Sequence, residues 1–194
     1  MSNVLVDRFS EERSTAHDLL WVAGFGLLTA LLAQIRIPLP FTPVPLTGQT
    51  FGALLAGVTL GSRRAFTSQL AYLLAGVAGL PVFAGGASSF VHLLGPTGGY
   101  LMALPLAAGL LGWWTERGGA RKTFRLGAGL VVSSLVILLM GTLWLRFALR
   151  VPYTEAWILG FYPFLLGDTL KIALVGISFP RILGRFEAGK TPSR

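Results

Sequence analysis

No aspartate, glutamate, lysine or arginine occurs between Ala65 and Thr115, and this feature limits the fold of the chain more than any other. A membrane-spanning helix needs about 20 mostly apolar residues, with about 17 as the lower limit. The uncharged stretch is too long for one helix, and a glycine- and proline-rich centre at residues 79–99 divides it. Only 12% of the whole chain is charged, against about 25% in soluble domains, which indicates that lipid surrounds the protein.

Six apolar segments are candidates for membrane-spanning helices. They are residues 19–35, 46–61, 65–80, 98–115, 126–145 and 162–183. The first segment is longer than the apolar region of a typical signal peptide and lacks a cleavage site, so we expect it to be retained. The sequence therefore predicts one all-α membrane domain over residues 1–194, a bundle of six transmembrane helices.

Positively charged residues are concentrated in alternate connections between these segments. If both termini lie in the cytoplasm, twelve of the 16 lysine and arginine residues fall in cytoplasmic segments and three, Arg36, Arg146 and Arg150, in outer ones. Cytoplasmic segments of membrane proteins carry such an excess of positive charge. Orientation with both termini inside therefore explains the net charge of +8, which does not indicate nucleic-acid binding.

Two outer connections have the composition of a lid rather than of ordinary loops. Residues 37–45, IPLPFTPVP, are rich in proline and are expected to be stiff and extended. Residues 80–99 are uncharged and rich in glycine, whereas a merely structural outer loop is normally short and polar. We predict that these outer loops fold inward as a lid over a cavity. The alternative is re-entrant packing without a ligand.

Asp168 and Lys171 lie inside the last apolar segment, where charged side chains are costly and usually mark a functional site. Their i, i+3 spacing places them on one face of a helix, where they can pair. Together they offer carboxylate acceptors and ammonium donors at one point, so we predict a ligand-binding role. The alternative is an ion pair that holds two helices together.

Other chemical motifs are weak. The chain has no cysteine, which excludes disulfides and thiolate metal sites. Residues 118–123, GGARKT, have arginine in place of the second glycine of a phosphate-binding loop, so we do not expect this chain to hydrolyse ATP. His17 and His92 lack the spacing of metal ligands, and Ser133 and Ser134 lack the motif of a serine hydrolase. We therefore expect no metal and no cofactor.

Small residues recur along one stripe of the first apolar segment, at Gly26, Ala30 and Ala33. Such stripes allow the backbones of two helices to approach closely. We predict that this stripe contacts a partner subunit if it faces outward. The alternative is that it serves packing within the chain.

Four motifs follow one another along the chain: RIPLPFTPVPLTGQTF (Arg36–Phe51), GLPVFAGG (Gly79–Gly86), LLGPTGGYL (Leu93–Leu101) and PFLLGDTLK (Pro163–Lys171). In this order and spacing they resemble the BioY family, the biotin-specific substrate-capture components (S components) of energy-coupling-factor (ECF) vitamin transporters. The motifs cover somewhat under half of the chain, and the six predicted spans agree with the family.

The resemblance implies that the chain binds biotin and takes it up across the cytoplasmic membrane of a bacterium or archaeon. It also implies a partner module of one transmembrane scaffold protein and two ATPases, on which ATP hydrolysis would take place. Some family members are thought to act without a dedicated module, and self-association is the alternative for those. An ECF S-component-like bundle, with the outer loops as its lid, is the expected fold.

By the same resemblance, Asp168 and Lys171 contact biotin. From the chemistry of the ligand, we expect Asp168 to accept hydrogen bonds from its ureido nitrogens and Lys171 to donate to its carbonyl or balance the aspartate. Further expected binding residues are aromatic or apolar walls, hydrogen-bonding side chains and loop glycines: Pro45, Phe83, Tyr100, Tyr162, Thr47, Gln49, Gly85 and Gly86. Some relatives have an asparagine where this chain has Ala84-Gly85-Gly86. We predict that backbone N–H groups at residues 86–89 or 98–99 hold the carboxylate tail, because no cation is expected there.

Two other classes of function stay open on the sequence alone. A carrier or channel for another small solute would be expected to place more polar residues along a water path. An intramembrane enzyme would need a nucleophile or a metal set inside the spans, where the sequence offers Asp168 and Lys171.

Overall fold

A computed structural model describes residues 15–188. Arg8, Arg13, Lys190 and Arg194, on which the predicted orientation partly rests, lie outside this range. A two-stranded hairpin consists of β1 (Arg36–Leu39) and β2 (Thr42–Thr47). The rest of the regular structure is helical: α1 (Thr15–Ala33), α2 (Gln49–Leu60), α3 (Ser62–Val77), α4 (Phe90–Leu94), α5 (Gly98–Glu116), α6 (Thr123–Leu149), α7 (Tyr153–Gly160) and α8 (Tyr162–Ala188), with short 3-10 turns at Ala84–Gly86 and Gly119–Arg121.

Three helical stretches of the described chain are long and apolar enough to cross a membrane. They are Thr15–Ala33, Thr123–Leu149 and Tyr153–Ile177, and α2 is a shorter apolar helix. α5 closely matches the predicted segment 98–115, α6 extends beyond both ends of segment 126–145, and α7 was not predicted. The mostly helical membrane-protein fold is thus supported, while six spans with both termini inside stay a prediction.

The central helix of the bundle is α5, which packs against α2, α3 and α6. Its alanines Ala103, Ala107 and Ala108 are fully buried. A Cβ atom added to Gly112 would approach the carbonyl carbon of Gly61, at the start of α3, more closely than real side chains come. Small residues on α5 therefore let the neighbouring backbones approach it, as is usual for helices packed in lipid.

Large apolar side chains remain on the outside of α1 and α8. Leu27 and Leu31 on α1 and Leu166 and Leu170 on α8 are each more than 60% exposed. Soluble monomers rarely expose apolar surfaces of this extent, whereas a lipid-facing helix requires them. The outer faces of the bundle are therefore suited to hydrocarbon.

The small-residue stripe of α1 faces the inside of the bundle. Gly26, Ala30 and Ala33 are buried, and a Cβ atom on Gly26 would lie 3.3 Å from the backbone oxygen of Ser68 on α3. The stripe thus serves packing within the chain, which was the alternative to the predicted partner interface. Leucines such as Leu27 occupy the outward face instead.

The proline-rich connection forms an antiparallel hairpin. Arg36 pairs with Thr47 and Leu39 with Thr42, and the register is irregular between Ile37 and Leu39, where a proline interrupts the strand. The predicted extended conformation is confirmed, but the pairing was not predicted, so the all-α description is corrected by this hairpin. Proline lacks a backbone donor and is confined to strand edges and bulges, which explains how so many are accommodated.

The glycine-rich connection between α3 and α5 (residues 78–97) is folded back onto the end of α1. It contains the 3-10 turn Ala84–Gly86 and the short helix α4. Ser89 caps the first turn of α4, because its Oγ accepts a hydrogen bond from the His92 N–H at 3.3 Å. Gln34, just after α1, donates to the Phe83 carbonyl at 3.2 Å and accepts from the Gly86 N–H at 3.0 Å. These bonds fix the turn beside the hairpin.

Candidate functional site

A cavity of about 240 Å³ lies between the hairpin, the connection 78–97 and helices α2, α5, α6 and α8. Its volume is somewhat below the roughly 300–1,000 Å³ of most small-molecule sites, so one compact molecule would fill it. Both connections predicted to form a lid contribute to its wall. The lining residues are Arg36, Pro38, Leu39, Thr42, Pro43, Val44, Pro45, Thr47, Gln49, Thr50, Ala84, His92, Thr97, Tyr100, Leu101, Leu104, Ile137, Leu138 and Phe164.

One wall of the cavity is aromatic and held in place by hydrogen bonding and packing. The Tyr100 hydroxyl donates to the Gly160 carbonyl at 2.6 Å, and its ring lies 5.9 Å from the Phe164 ring. The Tyr100 ring occupies the space in front of Gly141, where an added Cβ atom would collide with Cδ1 of the ring. Tyr100 therefore lines the cavity as predicted and presents a fixed apolar face.

A chain of hydrogen bonds links the cavity to the connection 78–97. Thr47 Oγ1 donates to Gln49 Oε1 at 3.1 Å, and Gln49 Nε2 donates to the Tyr72 hydroxyl at 2.6 Å. Tyr72 in turn donates to the Val82 carbonyl at 3.1 Å. Thr47, Gln49 and Pro45 line the cavity as predicted, with the Gln49 amide held in one orientation by these partners.

Asp168 and Lys171 form the predicted ion pair, with Lys171 Nζ 3.2 Å from Asp168 Oδ1. Ser134 on α6 donates to Asp168 Oδ2 at 2.5 Å, and Lys171 Nζ donates to Thr50 Oγ1 on α2 at 2.6 Å. Asp168 is only 4% exposed. The pair connects α8 to α2 and α6, and it reaches the cavity through Thr50, which lines it. Neither Asp168 nor Lys171 lines the cavity itself, so these contacts match the alternative of an ion pair that holds helices together, and the binding role stays a prediction.

Two predicted wall residues lie elsewhere. Phe83 is fully buried beneath the connection 78–97, where its ring fills the space in front of Gly76 and stacks on His92 at 5.5 Å. Tyr162, the first residue of α8, is 60% exposed and contacts Trp157 on α7 instead, with ring centroids 6.3 Å apart. Neither lines the cavity, so the structure gives Phe83 a supporting position and removes Tyr162 from the wall.

The two loop glycines flank the cavity rather than line it. Their neighbour Ala84 lines it, while Gly85 has φ of +71° and lies under the Arg36 guanidinium. Gly86 donates its N–H to Gln34. Within residues 15–188 no three histidine, aspartate or glutamate side chains lie close enough together to hold a metal ion.

Comparison with known proteins decides the family of this chain. Residues 7–188 match the model of the BioY family. The chain belongs to the BioY family. Among curated members, the "probable biotin transporter BioY" of Pyrococcus horikoshii is 41% identical over 87% of this chain and 98% of its own length. "Biotin transporter BioY2" of Lactococcus lactis is 36% identical over 86% of this chain and 90% of its own length.

A solved structure has the same fold as this BioY-family chain. It is the crystal structure of the S component for biotin from an ECF-type ABC transporter, with a TM-score of 0.82 and 26% sequence identity. The match covers 90% of this chain and 95% of that one. These BioY-family relatives are named as transporters or transporter components, so the alternative of an intramembrane enzyme has no support.

Sequence reasoning missed several lining residues of this BioY-family cavity. Ile137 and Leu138 on α6 and Phe164 on α8 carry no motif, because an apolar side chain in a span looks the same whether it faces lipid or a cavity. Arg36 was counted as an outer charge for orientation and as part of a family motif, but it was given no binding role. Its place at the start of a family motif and of the proline-rich segment was the available signal that it lines the cavity.

Proposed function

We propose that this chain binds biotin in the cavity and carries it across the membrane as the substrate-specific subunit of an ECF-type transporter. The observation that carries the proposal is a buried carboxylate–ammonium pair, Asp168 and Lys171, one hydrogen bond from an apolar-walled cavity. Membership in the BioY family and the match to an S component for biotin support the same ligand.

The chemistry of biotin complements this arrangement. Its neutral bicyclic head carries two ureido N–H donors and one carbonyl acceptor, and its rings are apolar. Asp168 supplies the acceptor for the N–H groups and Lys171 the donor for the carbonyl, after Lys171 exchanges its bond to Thr50 for one to the ligand. Tyr100, Phe164 and the other apolar lining residues then enclose the rings. An analogue that leaves the buried pair unpartnered is rejected, because unpaired polar groups are costly inside a site.

The membrane context completes the proposal. We infer six spans with both termini in the cytoplasm of a bacterial or archaeal cell and insertion in the cytoplasmic membrane. The apolar outer faces of α1 and α8 support this placement. The expected partners are a transmembrane scaffold and two ATPases that hydrolyse the ATP, or a second copy of the chain if it acts without a module. This chain itself is proposed to be a carrier subunit and not an enzyme.

Equilibrium binding of biotin to the purified chain in detergent tests the proposal. The wild type is compared with Asp168→Asn and with Thr169→Ala as a matched control, because Thr169 is the exposed neighbour whose hydroxyl bonds only within α8, to the Leu165 carbonyl. A hydrogen bond to a charged group contributes about 1.5–3 kcal/mol, so Asp168→Asn is expected to weaken binding by about 10- to 100-fold.

Thr169→Ala should bind biotin like the wild type. Gel filtration and thermal unfolding of all three proteins show whether each one is folded. Unchanged affinity in folded Asp168→Asn would remove the ion pair from the site. A folded wild type that binds no biotin, but binds or transports another small solute, would instead favour the alternative of a different carrier or channel.

A further inference from the structure

The charge around the cavity is unevenly distributed. Among the described lining residues, Arg36 is the one with a formal charge at neutral pH, because burial lowers the pKa of the lining histidine, His92, and keeps it neutral. Arg36 is exposed, whereas Asp168 at the inner ion pair is almost fully buried. A ligand that reaches both therefore has its neutral head at the buried end and its charge at the exposed end, where ionic groups are less costly.

The position of Arg36 is fixed by two neighbouring segments. It is the first residue of β1, paired with Thr47 of β2, and Thr47 also lines the cavity. Its guanidinium lies over the backbone of Gly85, so close that a Cβ atom there would be 2.6 Å from Nη1 and 2.7 Å from Cζ. The guanidinium thus stands where the hairpin meets the turn Ala84–Gly86, beside the cavity.

Three of the six backbone donors that the sequence predicted to hold the carboxylate tail already have a hydrogen-bond partner. The Gly86 N–H is bonded to Gln34 Oε1 at 3.0 Å, and the Ser89 N–H to the Gly76 carbonyl at 2.7 Å. The Gly98 N–H is bonded to the Gly95 carbonyl at 3.1 Å. A carboxylate at any of these positions would have to displace an existing hydrogen bond. The expectation that no cation lies near these donors is also corrected, because the Arg36 guanidinium lies beside Gly85.

We propose that Arg36 binds the carboxylate of the biotin tail and makes the chain selective for the free acid over neutral derivatives, an inference that rests on the proposed function. The guanidinium presents paired N–H donors in a fixed plane that matches a carboxylate in two parallel hydrogen bonds. Arg36 belongs to the hairpin and contacts the turn at Gly85. The bond between its guanidinium and the carboxylate therefore holds the ligand tail where the hairpin meets this turn.

The test compares biotin with biotinamide, which has the same rings and chain length but a neutral end. Wild type is expected to prefer biotin by about fivefold, equivalent to about 1 kcal/mol, the upper end of the range for a charged pair exposed to solvent. Arg36→Gln should lose this preference because its affinity for biotin falls, while its affinity for biotinamide stays within about twofold of wild type. Arg36→Lys should retain part of the preference, since lysine keeps the charge but lacks the paired donors.

Arg150→Gln is the matched control, because Arg150 is also exposed but caps the end of α6 and does not line the cavity. It should leave the preference unchanged. Higher salt should reduce the preference of wild type, because mobile ions screen an exposed pair. The comparison of the two ligands on wild type needs no variant to fold.

Equal affinity of wild type for biotin and biotinamide would overturn the assignment of Arg36 while leaving the proposed function intact. So would an Arg36→Gln variant that weakens both ligands equally, since that result indicates a structural role. Absence of binding of either compound by folded wild type would instead contradict the proposed function, and the role of Arg36 with it.

Discussion

Two adjacent serines on α6 provide an internal comparison for the buried ion pair. Ser134 Oγ donates to Asp168 Oδ2 at 2.5 Å, while Ser133 Oγ is buried and has no hydrogen-bond partner among residues 15–188. Both side chains are almost fully buried. Replacing each by alanine removes the same atom from the same helix. The two variants therefore differ in whether a bond to the carboxylate is lost.

The expected magnitudes separate the two variants clearly. A hydrogen bond to a charged group contributes about 1.5–3 kcal/mol, whereas side-chain hydrogen bonds between membrane helices average about 0.6 kcal/mol. Ser134→Ala should therefore lower the free energy of unfolding by about 1.5–3 kcal/mol. Ser133→Ala removes a buried hydroxyl that lacks a partner, so its effect should be close to zero or stabilising. Ser134→Ala should also weaken biotin binding, because Asp168 is then less firmly held.

The assay is reversible unfolding of the purified chain in mixed micelles with increasing SDS, followed by circular dichroism. Both serine variants are measured alone and in the Asp168→Asn background. If the bond from Ser134 to the carboxylate causes the destabilisation, Ser134→Ala should lower the free energy of unfolding by less in the Asp168→Asn background than in wild type. A double-mutant cycle quantifies this difference. Equal destabilisation by the two alanine variants, or the same cost of Ser134→Ala with and without Asp168→Asn, would refute the reasoning.

Three further results are expected. Gly141→Ala should abolish biotin binding, because its methyl group would occupy the position of the Tyr100 ring, and equal affinity in ligand titrations would contradict that. Tyr100→Phe should weaken binding by about tenfold or less, since it loses one hydrogen bond to the Gly160 carbonyl, worth about 1 kcal/mol, and keeps the ring. Burial lowers the pKa of His92 below its usual value of about 6.5, so the unfolded chain takes up this proton more readily than the folded one. The free energy of unfolding should therefore fall as the pH drops below about 6.5, towards the lower pKa of the folded state. Thermal unfolding between about pH 8 and about pH 5 should show this decline, and His92→Gln should flatten it; an identical profile in that variant would assign the decline to another group.

Sequence analysis found the parts of the site in which a residue type is energetically unfavourable at its position. Asp168 and Lys171 were recognised because charge inside an apolar span is expensive, and their pairing is confirmed. Tyr100 and Gln49 belong to family motifs and do line the cavity. Phe83 belongs to a motif as well, but a motif does not show whether a residue lines the cavity or packs behind the lining residues. In the structure, Phe83 packs against Gly76 and does not line the cavity.

Long-range contacts account for what the sequence did not reveal. Proline-rich residues 37–45 were expected to be extended, yet strand pairing depends on register between distant atoms, such as Arg36 with Thr47. The small-residue stripe containing Ala30 was equally consistent with an inner or an outer face, and periodicity along one helix cannot decide that. The cation beside the cavity was overlooked because Arg36 acquires its position only when the hairpin folds against Gly85.

The ion pair between Asp168 and Lys171 also bears on the energetics of transport. Moving one elementary charge through a membrane potential of about 100 mV changes the free energy by about 2.3 kcal/mol. The carboxylate and the ammonium cancel each other and lie 3.2 Å apart, so a displacement of the site along the membrane normal moves almost no net charge with this pair. In the proposed transport of biotin, this ion pair itself should therefore add almost no dependence on membrane potential.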